Sequence, residues 1–600
     1  MRTRGVVGEL RPSQILFTYG VGATVELPQL STLVLGLEDW PKEHGALVSE
    51  PRLLAAVRHR LGHQVTELRT PPRQDENSPV PNGVPVAPFP QWLRCPVCRL
   101  LAPVTSGLFD LVQDSYRPER TRYVHKCTTR GLPPTAYPAR FLLACRAGHL
   151  DDFPWSEFVH RGSGCKATLR LKEIGMGGGP VDVQVECDGC PARRRLGDAF
   201  GQKADENLPT RCRGRHPHIG TTESCDEPVR TILLAASNSW FPVSLSALSI
   251  PTGEGQLDQR VEARWAILEK VTNREVLQFA LDTNEQLAGL REHALDEILG
   301  AIERRRDGDA TPGPVDLRGP EWAVLSQPDA APETDDFRLR TVSAPNGFAD
   351  VLDEVVLAER LREVVSLTGF TRVEAPDDLD ENGPLQPARI SREPPDWVPC
   401  TEVRGEGVFL RFQIPALEEW ERRYTSTDRA KQLWQAHRSW RARRRLPTDG
   451  EQGWPGLRYV LLHSLSHALM RELALECGYG ASSIRERIYS SRPDAPDMAG
   501  LLLYTAAPDS EGTLGGLVGL GEPDHLGRLL SQALERARLC SADPLCSEHD
   551  PTTDGSVHHA ACHACQFASE TSCERGNRFL DRAVLVDTFT TRGVAFFETP

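Results

Sequence analysis

Apolar positions recur at helical spacing in several stretches of this chain, with charged residues between them. From Leu257 to Arg306 the pattern predicts two or more amphipathic helices, and Val351 to Leu367 reads as a further helix closing on Gly369-Phe370-Thr371-Arg372. Leu417 to Arg445 predicts a basic helix, and Tyr459 to Met470 a strongly apolar one. Short apolar runs predict strands at Ala23 to Leu27, after the Gly20-Val21-Gly22 turn, and at Leu501 to Thr505. Arg140 to Trp155 reads as a strand breaking into a turn dense in His149, Asp151, Asp152 and Trp155. A turn that caps a helix with Asp and packs Trp beneath it is favoured there over a site. Proline, glycine and polar residues mark Pro71 to Pro90, Asp307 to Asp336 and Ala375 to Pro399 as loops or surface excursions.

At 600 residues the chain holds about three to five domains. Its 39% hydrophobic and 25% charged content is that of a soluble globular protein. The longest apolar runs, near Thr231 to Ala236 and Leu501 to Tyr504, fall far short of a bilayer, so no membrane association is expected. A net charge of −14 argues against a protein coating nucleic acid over its whole surface and leaves room for local basic patches. Met1 to Leu16 has basic residues and no apolar signal-peptide core, so a reducing, cytoplasmic compartment is expected.

In that compartment close-set thiols read as metal ligands rather than disulfides. Three CxxC knuckles are present: Cys95-Pro96-Val97-Cys98, Cys187-Asp188-Gly189-Cys190 and Cys562-His563-Ala564-Cys565. The second, followed by Cys212 and Cys225, reads as a zinc ribbon with a full set of four thiolates. For the first, Cys127 is the expected third ligand, and His125, Cys145 or His149 is the fourth; His125 and Cys127 share an ion only where the chain is extended. The third has Cys573 after it and Cys540 and Cys546 before it. Cys165, Cys400 and Cys477 lack a knuckle and are expected to be structural thiols.

The basic helix carries Arg438, Arg441, Arg443, Arg444 and Arg445 beside Trp434 and Trp440, which makes it the best candidate for a nucleic-acid contact; a solvated helix is the plainer alternative. His463 and His467 stand one helical turn apart, but Ser464 replaces the Glu of HExxH, so packing is favoured. Asp509 and Glu511 sit in a Gly-rich loop, read first as a turn. The Gly20-Val21-Gly22 turn lacks the Lys-Ser/Thr of a nucleotide loop; no Walker sequence and no phospholipase-D-type nuclease spacing occurs anywhere.

Several stretches together resemble one family. They are RPSQ with its TYG-G turn, RF--AC--GHLDDFPW, RLREV--L-GFTR, HSLSHALMRELALECGY, LLLYTAAPDSEGTLGG, and CSADPLC with ACHAC and ETSCERGNRFLDRA. The resemblance is to the DrmB family of the bacterial DISARM anti-phage system, and Leu457 to Val586 is similar to the zinc-binding domain of MrfA-type helicases, where four cysteines hold the metal. It implies that Cys562, Cys565, Cys573 and Cys546 bind one Zn²⁺, with Cys540 as the rival of Cys546. Arg130 stands where a second thiol would pair with Cys127. The resemblance also implies a noncatalytic partner of a DrmA-type superfamily 2 helicase in a DNA-engaging complex.

The expected architecture is multi-domain α+β, with zinc-ribbon modules in the N-terminal half, a helical middle and an α+β C-terminal zinc-binding domain. Its divisions are an N-terminal segment (1–90), a zinc-ribbon region (91–250), a helical region (251–345), a helical or linker region with the basic helix (346–450) and the MrfA-type domain (451–600). The rival reading is a metal-dependent nuclease using Asp509, Glu511, His463 and His467. A stand-alone transcription factor is disfavoured because no helix-turn-helix or finger-type spacing is visible.

Overall fold

The computed structural model describes residues 6–74, 82–114, 117–127, 131–162, 165–175, 179–201, 204–208, 211–251, 257, 260–261, 264–291, 293–307, 315–376, 386–444, 446–478, 480–490, 497–505, 516–569 and 571–597. Helices and strands are mixed throughout, in several packed units.

Two long strands dominate the centre, Leu352–Thr371 and Trp397–Phe412. They pair antiparallel from Leu352↔Phe412 to Ser366↔Cys400, with bulges that absorb extra residues near Glu354 and Ala358. The sheet continues through Phe241–Leu248 on one side, and through Ala499–Thr505 and Ile484–Ser490 on the other. Leu352–Thr371 therefore corrects the helix expected over Val351 to Leu367. Its Leu, Glu, Ala and Arg content favours a helix locally, but both faces are covered, and burial on both faces overrides propensity.

Each end of this sheet supports a different core. Leu410, Leu501 and Leu503 pack with Leu461, Leu465 and Leu469 of the helix Leu457–Cys477, and this core runs on through Leu530 to Phe597 without a break at the 450/451 boundary. Val364, Leu367 and Val398 pack instead with Ile15, Leu16, Val25 and Val57, so the N-terminal segment is built onto the central sheet. Between helix Arg318–Leu325 and the sheet, Arg487 grips buried Glu321 through Nε at 2.6 Å and a second nitrogen at 2.7 Å, and Tyr504 donates to Glu363 at 2.8 Å.

The Cys-rich N-terminal half forms an eight-stranded antiparallel sheet, ordered Arg193–Arg195, Val183–Cys187, Leu169–Glu173, Leu100–Pro103, Trp92–Arg94, Thr135–Pro138, Arg122–His125 and Phe109–Val112. Beside it stands a small sheet of Leu150–Asp152, Phe141–Ala144 and Arg230–Leu233. The helices expected from Leu257 onward include Arg274–Thr283 and Leu295–Asp307 around their own core of Leu277, Leu281, Leu290, Ile298 and Ile302. The basic stretch is two helices, Ile414–Thr425 and Asp428–Arg443, the second opened by Thr427, whose Oγ1 accepts from the Ala430 N–H at 3.2 Å. Among the described residues no helix is long and apolar enough to cross a membrane.

Candidate metal centres

Apart from Cys400 and Cys477, every cysteine falls into one of five four-residue sets whose donor atoms lie within 4.8 Å of one another. Sulfurs at the corners of a tetrahedron around one Zn²⁺, with Zn–S near 2.3 Å, stand about 3.8 Å apart, whereas a disulfide brings them to about 2.05 Å. The pairs found here measure 3.5–4.0 Å.

In the first set Cys95 and Cys98 lie in the turn joining Trp92–Arg94 to Leu100–Pro103, closed by the bond from the Arg99 N–H to the Cys95 carbonyl at 2.9 Å. Arg99 takes a left-handed φ of 63° there. Across the sheet His125 ends the strand Arg122–His125, and Cys127 follows two residues later. An extended chain points alternate residues to one side, which resolves the awkward i, i+2 spacing. Cys95 and Cys127 are 3.7 Å apart, and Cys98 lies 3.4 Å from His125 Nδ1.

Cys187 and Cys190 do not meet Cys212 and Cys225. The antiparallel register that sets Leu169 against Cys187 brings Cys165 to 3.7 Å from Cys187, and His160, at the end of helix Trp155–His160, completes the set. His160 Nδ1–H donates to the Ser156 carbonyl at 2.8 Å, which leaves Nε2 as the ligand atom. Cys187 also accepts from the Gly189 N–H at 3.3 Å, as knuckle sulfurs do.

Cys212 and Cys225 gather instead with Cys145 and His149. Ala144 pairs with Arg230 in the small sheet, so the chain just before Arg230 is drawn back over Cys145. Cys145 lies 3.6 Å from Cys212, 4.0 Å from Cys225 and 3.2 Å from His149 Nδ1. The opposite nitrogen of His149 is held by Glu223 at 2.9 Å, which fixes the tautomer that frees Nδ1. The two Asp residues of this run cap no helix: Asp152 accepts from the Gln91 N–H at 2.8 Å, and Asp151 pairs with Arg215 at 2.7 Å.

At the C-terminus the set is Cys540, Cys546, Cys562 and Cys565, so Cys540 joins Cys546 rather than replacing it, and Cys573 lies elsewhere. Cys540 is 3.5 Å from Cys562, Cys546 is 3.7 Å from Cys565, and the knuckle pair is 3.7 Å apart. A hydrogen bond from Cys565 pulls the Cys546 thiol down to about 6 against its burial, and the Arg582 guanidinium adds to the effect. Cys573 stands with His463, His467 and Glu486, all buried. In sequence the spans nest: His160 to Cys190 lies inside Cys145 to Cys225, and Cys540 to Cys565 lies inside His463 to Cys573.

These S₃N and S₄ sets fit Zn²⁺ by donor type, number and spacing. His160 and Glu486 are the members that sequence reasoning missed, and Cys165, His463 and His467 are those it assigned to packing. For Cys145 and His149 the C-x₃-H spacing was the available signal. The remaining lone thiols behave as expected of structural groups: burial raises both, Cys477 to about 11, and Cys400 lies in the core.

The candidate nucleic-acid arginines do not share one exposed face. Arg441 is 2% exposed, with its Nε–H donating to the Pro447 carbonyl at 2.6 Å. Arg443 donates to the Gly555 carbonyl, and Arg444 pairs with Glu374 at 3.1 Å and covers the Trp440 ring. Arg438 is exposed, and Arg445 lies outside the described residues, as do Asp509 and Glu511. On helix Asp428–Arg443 the arginines serve largely to tie the helix to its neighbours; Arg429 grips buried Asp581 at 2.6 and 2.8 Å.

Comparison with known proteins returns two family models. Residues 11–241 match a domain of unknown function, DUF8724, and residues 465–566 match the MrfA Zn-binding domain. The second match encloses Cys540, Cys546, Cys562 and Cys565, and leaves out His463 and Cys573. The DISARM protein DrmB of Bacillus paralicheniformis is 31% identical over 582 residues, 95% of this chain and 98% of that protein. A crystal structure of the DUF1998 helicase MrfA bound to DNA aligns with 37% of this chain and 23% of its own at 10% identity, with a TM-score of 0.17.

Proposed function

The chain belongs to the DISARM DrmB family, and on that premise we propose that it is a noncatalytic, zinc-bound cytoplasmic subunit that joins a DrmA-type superfamily 2 helicase in a DNA-engaging complex. The observation that carries this reading is the closure of the Cys-rich sets. Each supplies four protein donors at tetrahedral spacing, so none keeps a position for water or substrate. Such sites contribute folding free energy on the order of 10 kcal/mol each and brace a scaffold rather than turn over a substrate.

The nuclease reading draws no support from the histidines it needs. His463 and His467 are buried and face Glu486 and Cys573 rather than solvent. Mixing the purified chain with its helicase should give a complex that co-elutes in size-exclusion chromatography and binds DNA more tightly than either part. Cleavage of DNA in Mg²⁺ or Mn²⁺, or ATP hydrolysis by the chain alone, would overturn the proposal.

A further inference from the structure

We infer that His463, His467, Glu486 and Cys573 hold a Zn²⁺ ion of their own, separate from the four-cysteine set of the same C-terminal region. The inference does not depend on the helicase or DNA reading above. His463 and His467 share one face of helix Leu457–Cys477, Glu486 comes from strand Ile484–Ser490, and Cys573 from the C-terminal loop. One ion would therefore join a helix, the strand that closely follows it and a loop far along the chain.

Both rings point the same nitrogen inward. His467 donates its Nδ1–H to the Gln566 carbonyl at 2.6 Å, and His463 Nδ1 faces the Phe579 carbonyl at 3.4 Å. That tautomer leaves each Nε2 as a lone-pair donor directed at the centre. His463 Nε2 lies 3.1 Å from Cys573 Sγ and 3.1 Å from Glu486 Oε1, and His467 Nε2 lies 3.6 Å from the same carboxylate oxygen. Among the described residues His467 Nε2 is fully buried with no hydrogen-bond partner, an arrangement that costs free energy unless something not made of protein satisfies it.

The surroundings orient the anionic donors as they do at the other sets. Cys573 Sγ accepts from the N–H groups of Asn577 at 3.1 Å and Arg575 at 3.4 Å, the pattern seen at Cys187 and Cys540. Glu486 accepts from Ser466 Oγ–H and from the Glu574 N–H at 2.9 Å. A thiolate and a carboxylate together bring two negative charges into a site with no exposure to speak of, and a divalent cation neutralises both. An N₂OS set with four protein donors is tetrahedral and closed, the chemistry of a structural Zn²⁺.

Crystals of the full chain, with anomalous data collected on both sides of the zinc absorption edge, test the assignment without any variant. An anomalous peak between the four donors is expected, alongside one at Cys540, Cys546, Cys562 and Cys565. A peak at the cysteine set with none here overturns the inference. In solution, Cys573→Ser and Glu486→Gln should each lose one zinc per chain by plasma mass spectrometry, while Cys477→Ser keeps the wild-type content. Unchanged zinc in both site variants would equally overturn it.

Discussion

Arg372 donates from its guanidinium to the backbone carbonyl of Gly22 at 2.6 Å, across 350 positions of sequence. Two further bonds go to the carbonyls of Gly148 at 3.0 Å and Ser239 at 2.6 Å, so one fully buried cation joins the N-terminal turn, the His149 turn and the entry to the central sheet. Gly22 and Gly148 both have φ near +80°, and a Cβ on either would fall within 2.5 Å of Phe370 or Ala388. Replacing Arg372 with Met strands three buried carbonyls, a loss of about 3 kcal/mol or more. Amide hydrogen exchange around Gly20 to Ala23 should then quicken about a hundredfold; unchanged protection would show that the turn does not need the clasp.

His218 sets a pH dependence. Burial pushes its pKa down to about 3, although its bond to the Arg389 carbonyl at 2.8 Å works the other way, and the Arg372 charge lowers it further. With a folded value below the free value of about 6.5, the unfolded chain takes up the proton first as pH falls. The contribution is therefore intact above about pH 6.5 and is lost progressively toward about pH 3. Between pH 7.5 and 5.5 the wild type should lose about 1.4 kcal/mol more stability than His218→Gln in denaturant unfolding. Parallel losses in the two proteins would remove His218 as the cause.

Cys187 and Cys212 belong to different sets, which a double substitution can reveal. Cys187→Ser and Cys212→Ser should each remove one zinc per chain, and the pair together two. Loss of a single zinc from the double variant would restore the one-ribbon arrangement.

Two arginines on one helix should part company in assays. Arg441 is packed where Gly453 leaves room for its guanidinium, so Arg441→Ala should cost about 2 kcal/mol of stability and leave the salt dependence of DNA binding unchanged. Exposed Arg438 is the better candidate for a phosphate contact, and Arg438→Ala should reduce the log–log salt slope by about one without destabilising the fold. If the Arg438 variant keeps the full slope, Arg438 does not contact a phosphate.

What the chain disclosed in advance was local. A CxxC knuckle closes within a few residues, so Cys95 with Cys98, Cys187 with Cys190, and Cys562 with Cys565 were readable from spacing alone. Cys127, His125, Cys546 and Cys540 were within reach of spacing too, but the partners of Cys187 and of Cys225 were not, because strand register chooses them: Leu169 opposite Cys187 recruits Cys165, and Ala144 opposite Arg230 sends Cys225 to Cys145. Similarly, the i, i+4 pair His463 and His467 was visible on its helix, whereas Glu486 and Cys573 arrive from a strand and a distant loop. Strand Leu352–Thr371 was hidden because burial on both faces erases the alternation that marks a half-exposed strand. The helix Leu457–Cys477, largely buried, was legible from the apolar run Tyr459 to Met470, which is too long for a strand of ordinary length.

The nesting of the candidate ligand spans fixes the order in which their donors are synthesised. Because synthesis proceeds from the N-terminus, His160, Cys165, Cys187 and Cys190 are all synthesised before Cys212 and Cys225. Near the other end, His463, His467 and Glu486 must wait for Cys573, which follows every member of the Cys540 set. A chain truncated just before Cys573 would thus carry every sulfur of the Cys540 set and only three of the four donors of the His463 set.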